Sequence, residues 1–121
     1  MNNEKVEMIK KLQQAEALYV IMSGFTKMPY VACGEETFDD KVFIYFEEAA
    51  AKEKGKKLLE AGNFVQVAKV EKDLLMEFYA SLYPIGVNCL HVNSGLEDEM
   101  LVQHNEVLRR RAPEETEGGK V

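Results

Sequence analysis

The chain is short of cysteine, of basic runs and of long apolar stretches, and each shortage removes a class of function. Its 121 residues include two cysteines, Cys33 and Cys89. Their separation excludes a CxxC redox or zinc motif. Both lie in apolar, strand-like runs, which predicts two buried reduced thiols; a disulfide between neighbouring strands is the alternative. No run reaches the roughly 18 apolar residues of a membrane span, so no membrane partner is expected. Met1 to Lys11 is charged and lacks the apolar core of a signal peptide, which makes the cytoplasm the expected location. The only basic run is Arg109-Arg110-Arg111, in a chain of net charge -6. Such a chain lacks the positive field that nucleic acid requires. Capping of helix carbonyls is the expected role of those arginines.

Phosphate loops are missing as well. No GxGxxG or GxxxxGK[ST] occurs, and the helices expected near Glu47 and Glu71 begin with carboxylates, which repel phosphate. Ser23, Ser81 and Ser94 lack the context of a nucleophile elbow. No cofactor is expected.

What the chain has is alternating apolar strands and amphipathic helices. Apolar residues make up 46% of it, enough for a core in one domain of this length. Residues 3–15 read as a helix with Val6, Ile9 and Leu12 on one side and Asn3 as its N-cap. Leu18 to Met22, Met28 to Cys33 and Lys41 to Phe46 read as strands, with Pro29 at a strand start or edge. Glu47 to Ala61 reads as a helix stopped by Gly62. Phe64 to Val70 reads as a strand. Glu71 to Tyr83 reads as a helix with Leu74, Leu75, Phe78 and Leu82 in its stripe, ended by Pro84. Val87 to Val92 is a further strand. Met100 to Val102 suits an edge strand and Glu106 to Arg110 a closing helix. The expected class is α+β or α/β, in the order αβββαβαβ: an antiparallel three-strand meander followed by a βαβαβ unit in one mixed sheet. Residues 1–112 form the expected domain, and 113–121 a disordered polar tail. Several strands are apolar on both faces. The two crossover helices are expected on one face, with the N-terminal helix or a second subunit on the other.

Leu18-Tyr19-Val20-Ile21-Met22, Lys41-Val42-Phe43-Ile44-Tyr45-Phe46 running into Glu47-Glu48-Ala49, and Ser81-Leu82-Tyr83-Pro84-Ile85-Gly86-Val87 resemble the N-terminal domain of the SseB family, named for enhanced serine sensitivity. The resemblance covers about residues 16–95. It implies a fold, and it brings no catalytic residues to carry over. Larger relatives carry a further C-terminal domain, for which this chain is too short.

Candidate chemistry is sparse. Cys89 and His91 share a strand face, but a tetrahedral metal would need two more ligands, and no metal site is expected. Cys33 or Cys89 with His91 would be a thiol catalyst only if the imidazole reached the sulfur. Glu35, Glu36, Asp39, Asp40 and Glu97, Asp98, Glu99 read as solvated turns that make an acidic surface. Gly55, inside a helix, implies either close contact with a neighbour or harmless exposure. In open α/β sheets ligands gather at the carboxyl ends of parallel strands. Glu47, Lys69, Asn93 and Ser94 are the polar candidates for such a cleft, with no catalytic set among them. The leading expectation is a non-enzymatic protein-interaction or regulatory module that forms a homodimer or meets another protein. The alternative is a small cofactor-free enzyme or small-molecule-binding domain using the strand-end cleft.

Overall fold

A computed structural model describes residues 3–33 and 39–108. The elements are α1 (Asn3–Gln14), β1 (Ala17–Ser23), β2 (Val31–Cys33), β3 (Asp40–Tyr45), α2 (Glu48–Glu60), β4 (Val65–Glu71), α3 (Leu75–Ser81), β5 (Cys89–Val92), β6 (Met100–Gln103) and α4 (His104–Val107). The turn expected over 34–40 falls outside the described residues except for Asp39 and Asp40. Glu35, Glu36, the Arg109–Arg111 run and the tail 113–121 also lie outside them.

Helices and one mixed sheet form the α+β class expected from the sequence. The strand order is β4-β1-β3-β5-β6, with β2 attached to β3. β1 pairs antiparallel with β3 and with β4. β3 pairs parallel with β5, and β5 antiparallel with β6. The three strands β3, β4 and β5 therefore run the same way, as the βαβαβ reading requires. β1 lies between β3 and β4. β2 contributes little to the meander. Val42 meets Leu90 on one edge and Val31 on the other, while Ile44 meets Val92 and Val20. Thus β1 and β2 share one edge of β3, and β1 touches the segment before β2 through the Met22–Pro29 bridge.

This order separates the crossover helices, which were expected on one face. From β3 to β4 the chain moves across β1 in one direction. From β4 to β5 it returns past both. Crossovers of one hand that travel in opposite directions lie on opposite faces. Accordingly α2 covers a cluster of Ile21, Phe43, Tyr45, Ala51 and Val65. On the other face α1, α3 and α4 cover Leu18, Val20, Val42, Ile44, Leu90, Val92 and Val102 with Ile9, Leu12, Leu75, Tyr79, Leu82 and Val107. Each fully buried aliphatic of this kind contributes about 1.5–3 kcal/mol relative to exposure. Among the described residues both faces of the sheet carry helices.

The helix expected over 71–83 is a 3-10 turn, Lys72–Leu74, followed by the short α3. Leu74 consequently leaves the apolar stripe and is 50% exposed, and Tyr79 takes its place, fully buried. Tyr79 Oη donates to the Leu12 carbonyl at 2.6 Å, and the Tyr79 carbonyl accepts from His104 Nε2 at 2.6 Å. Gln13 Nε2 donates to the Val107 carbonyl, and Lys5 pairs with Glu106 at 3.4 Å. One tyrosine and one histidine thus tie α1, α3 and α4 into a single layer. The chain leaves α2 through Gly62 in the left-handed region, at φ 97°, which glycine adopts without strain.

Candidate functional site

The sheet topology brings the carboxyl ends of β3, β4 and β5 to one end of the molecule, but it does not gather the four polar candidates. Asn93 and Ser94 lie together in the turn after β5. The Asn93 backbone N–H donates to the Ile44 carbonyl at 2.8 Å, its side chain donates to Asp98 Oδ1 at 3.0 Å, and its φ is 54°. The Ser94 carbonyl accepts from Tyr45 Oη at 2.8 Å. Both are occupied in closing the β5–β6 connection onto β3. Glu47 stands at the N-cap of α2, exposed, with no capping hydrogen bond from its side chain. Lys69 is on β4, where Glu71 pairs with it at 3.6 Å. Three strand spacings, about 14 Å, separate β4 from β5, so Lys69 does not converge with Asn93.

Two grooves lie near that end. One, of about 500 Å³, is lined by Lys11, Gln14, Ala15, Glu16, Tyr19 and Phe46. The Lys11 ammonium sits 5.0 Å from the Phe46 ring centroid, a cation–π contact at its rim. The other, of about 580 Å³, runs between α1 and the turn before β6, with Met8 and Met100 in its lining and Glu4, Glu7, Glu97, Asp98 and Glu99 around it. None of the four expected cleft residues lines either groove.

Sequence reasoning placed His91 beside Cys89, but its chemistry runs elsewhere. His91 Nε2 meets Glu99 Oε2 at 3.0 Å. Glu99 also accepts from the Gly95 backbone N–H at 2.8 Å. That bond first, and His91 second, hold the Glu99 carboxyl below the usual range. The His91 ring packs 5.4 Å from Phe43, over which Lys54 places its ammonium at 4.4 Å. Burial, and then Lys57, lower Lys54. His91 Nδ1 is buried without a hydrogen-bond partner. Glu99, reached only through the turn's fold-back, was the member that spacing could not reveal.

The thiols differ from expectation. Cys89 is buried, but Cys33 is exposed, because β2 is only three residues long and ends there at the rim of the sheet. Asp40 beside Cys33 pushes its thiol up, and burial pushes the Cys89 thiol up. Both shifts disfavour the thiolate that nucleophilic chemistry needs. Among the described residues no three His, Cys, Asp or Glu side chains converge on a point that could hold a metal. No helix among them is long and apolar enough to cross a membrane.

One surface was not among the sequence candidates: the outer edge of β4, which is open among the described residues. Beside it Phe25 is 81% exposed, Phe64 54% and Leu59 50%. Phe25 and Phe64 form an edge-to-face pair at 5.0 Å. A groove of about 370 Å³, lined by Gly55, Leu59, Val65 and Val67 with Lys52, Lys56, Glu60 and Gln66, runs between α2 and this strand. A sequence signal for it existed: Phe64 begins a strand whose other end carries Lys69 and Glu71, a pattern of edges. Compared with known proteins, the chain matches no family model and no curated protein.

Proposed function

We propose that the chain is a non-enzymatic protein-interaction or regulatory module of SseB type that works as a homodimer in the cytoplasm. The observation that carries this reading is the apolar group Phe25, Leu59 and Phe64, exposed beside a seven-residue strand at the end of the sheet. Exposed aromatics next to open backbone are costly in an isolated molecule and are covered by association. The net charge of -6 directs any other protein partner toward basic surfaces. Light scattering on a size-exclusion column tests the proposal. The expected mass is twice 13.8 kDa. A clean monomer at micromolar concentration counts against self-association.

The groove at Lys11, Tyr19 and Phe46 favours a second reading, a small-molecule-binding domain without a cofactor. Its cation and aromatic walls suit a small organic anion. A thermal-shift screen of aromatic carboxylates separates the two readings. Stabilisation that disappears in Lys11→Ala supports the second; no shift with any member leaves the groove as surface relief.

A further inference from the structure

Hydrogen-bond parity fixes what β4 offers to solvent. The Gly24 N–H donates to the Phe64 carbonyl at 2.9 Å. The β1–β4 register continues that pairing from Ser23↔Val65 to Ala17↔Glu71. In an antiparallel ladder, hydrogen-bonded pairs alternate with pairs whose N–H and C=O groups point away. Gln66, Ala68 and Val70 therefore bond to β1, while Val65, Val67 and Lys69 direct their backbone groups outward. β1 itself obeys the same parity: Ile21 and Ser23 bond on its opposite side, to Tyr30 and Met28. Among the described residues no strand pairs with this outer edge.

We propose that the outer edge of β4 pairs antiparallel with β4 of a second copy of this chain across a twofold axis at Val67. This rests on the homodimer reading and says where the dimer forms. An isologous contact repeats each pair by symmetry, so the register can be chosen by what faces what. With Lys69 on the axis, two lysines would stand opposite each other, which is destabilising. With Val67 on the axis, Val67 meets Val67, Val65 meets Lys69 and Phe64 reaches the level of Val70. The half-exposed Phe64 then gains an apolar neighbour. Glu60 lines the groove beside Val65, where the Lys69 of the second copy arrives. The lysine that would blunt an isolated edge thus comes to Glu60 once in each half of the dimer, at the Val65 level of a groove that Lys52 and Lys56 also line. The pairing of Lys69 with Glu71 at 3.6 Å is exposed, and such a pair costs little to loosen.

Substitutions at Lys69 and Glu60 test the edge and the register separately from self-association. Lys69→Pro removes an outward N–H and no bond to β1. It is expected to give a folded monomer by light scattering, with far-ultraviolet circular dichroism unchanged. Lys69→Glu is expected to weaken the dimer about tenfold or more, and Lys69→Glu with Glu60→Lys to restore it. A dimer that persists in folded Lys69→Pro overturns the β4 interface while leaving the homodimer reading standing. A double variant as weak as the single one overturns the Val67-centred register. A wild-type protein that stays monomeric up to millimolar concentration overturns both the interface and the homodimer.

Discussion

The phenol of Tyr79 donates into the end of α1 while its carbonyl receives His104, so one buried residue holds three elements. Removing a buried partner leaves the other group unsatisfied, at a cost of about 1–3 kcal/mol. Tyr79→Phe strands the Leu12 carbonyl, and chemical denaturation is expected to show a loss of that size. Two glycines predict opposite outcomes. A Cβ on Gly24 would lie 2.5 Å from the Phe64 ring, whereas one on Gly55 would meet only Val67 and Ile21 side chains at 3.7 and 4.0 Å. Gly24→Ala should therefore lower the melting temperature. Gly55→Ala should raise it, through a helix-propensity gain of up to about 1 kcal/mol. Glu99 gives a pH signature. Its folded-state carboxyl is lowered by Gly95 and His91. The stability it contributes is then complete above the ordinary carboxylate value and is lost as pH falls through the depressed one. Denaturant midpoints measured down through the acid range should fall less steeply in Glu99→Gln than in the wild type. At this scale the sequence was least informative. It showed His91 and Cys89 on one strand face, but Glu99 and Tyr79 acquire their roles from a turn and a crossover that spacing does not encode.

Element positions were legible because periodicity survives in nearly every segment. The Lys41–Phe46 run became β3, Phe64–Val70 became β4, and Gly62 stops α2 with positive φ. The segment after β4 was harder to read. Lys72, Asp73 and Leu74 have helical spacing, yet they form a tight 3-10 turn, and Tyr79 rather than Leu74 is buried. The choice is made by packing on Leu12 and His104, far away in sequence. The start of α2 leaves room for improvement. Glu47 occupies the N-cap with extended backbone and makes no side-chain cap. Glu47→Ser should add about 0.5–1 kcal/mol by bonding the first-turn N–H groups, readable as a higher denaturation midpoint. That variant also removes one of the expected cleft residues. Glu47 lines neither groove near that end, so the ligand response of the Lys11 groove is expected to be unchanged in that variant.

For the whole molecule, strand order decides what is covered. The sequence displayed strands that are apolar on both faces, and a second subunit was one way to cover the spare face. Inserting β1 between β3 and β4 sends α2 and α3 to opposite faces and removes that need. Exposed apolar surface lies instead at an edge, where Phe25, Leu59 and Phe64 stand beside the open side of β4. Lys69 and Glu71 carry a local edge signal, but strand order is not written in local pattern, so the residues alone did not place this surface at the end of the sheet. Its exposed amides can be read directly. Residue-resolved hydrogen exchange, followed from micromolar to millimolar protein, measures whether the amides of Val65, Val67 and Lys69 become covered. Pairing at β4 predicts that these three slow with rising concentration while Gln66, Ala68 and Val70 remain protected throughout. Fast exchange at Val65, Val67 and Lys69, independent of concentration, would contradict it.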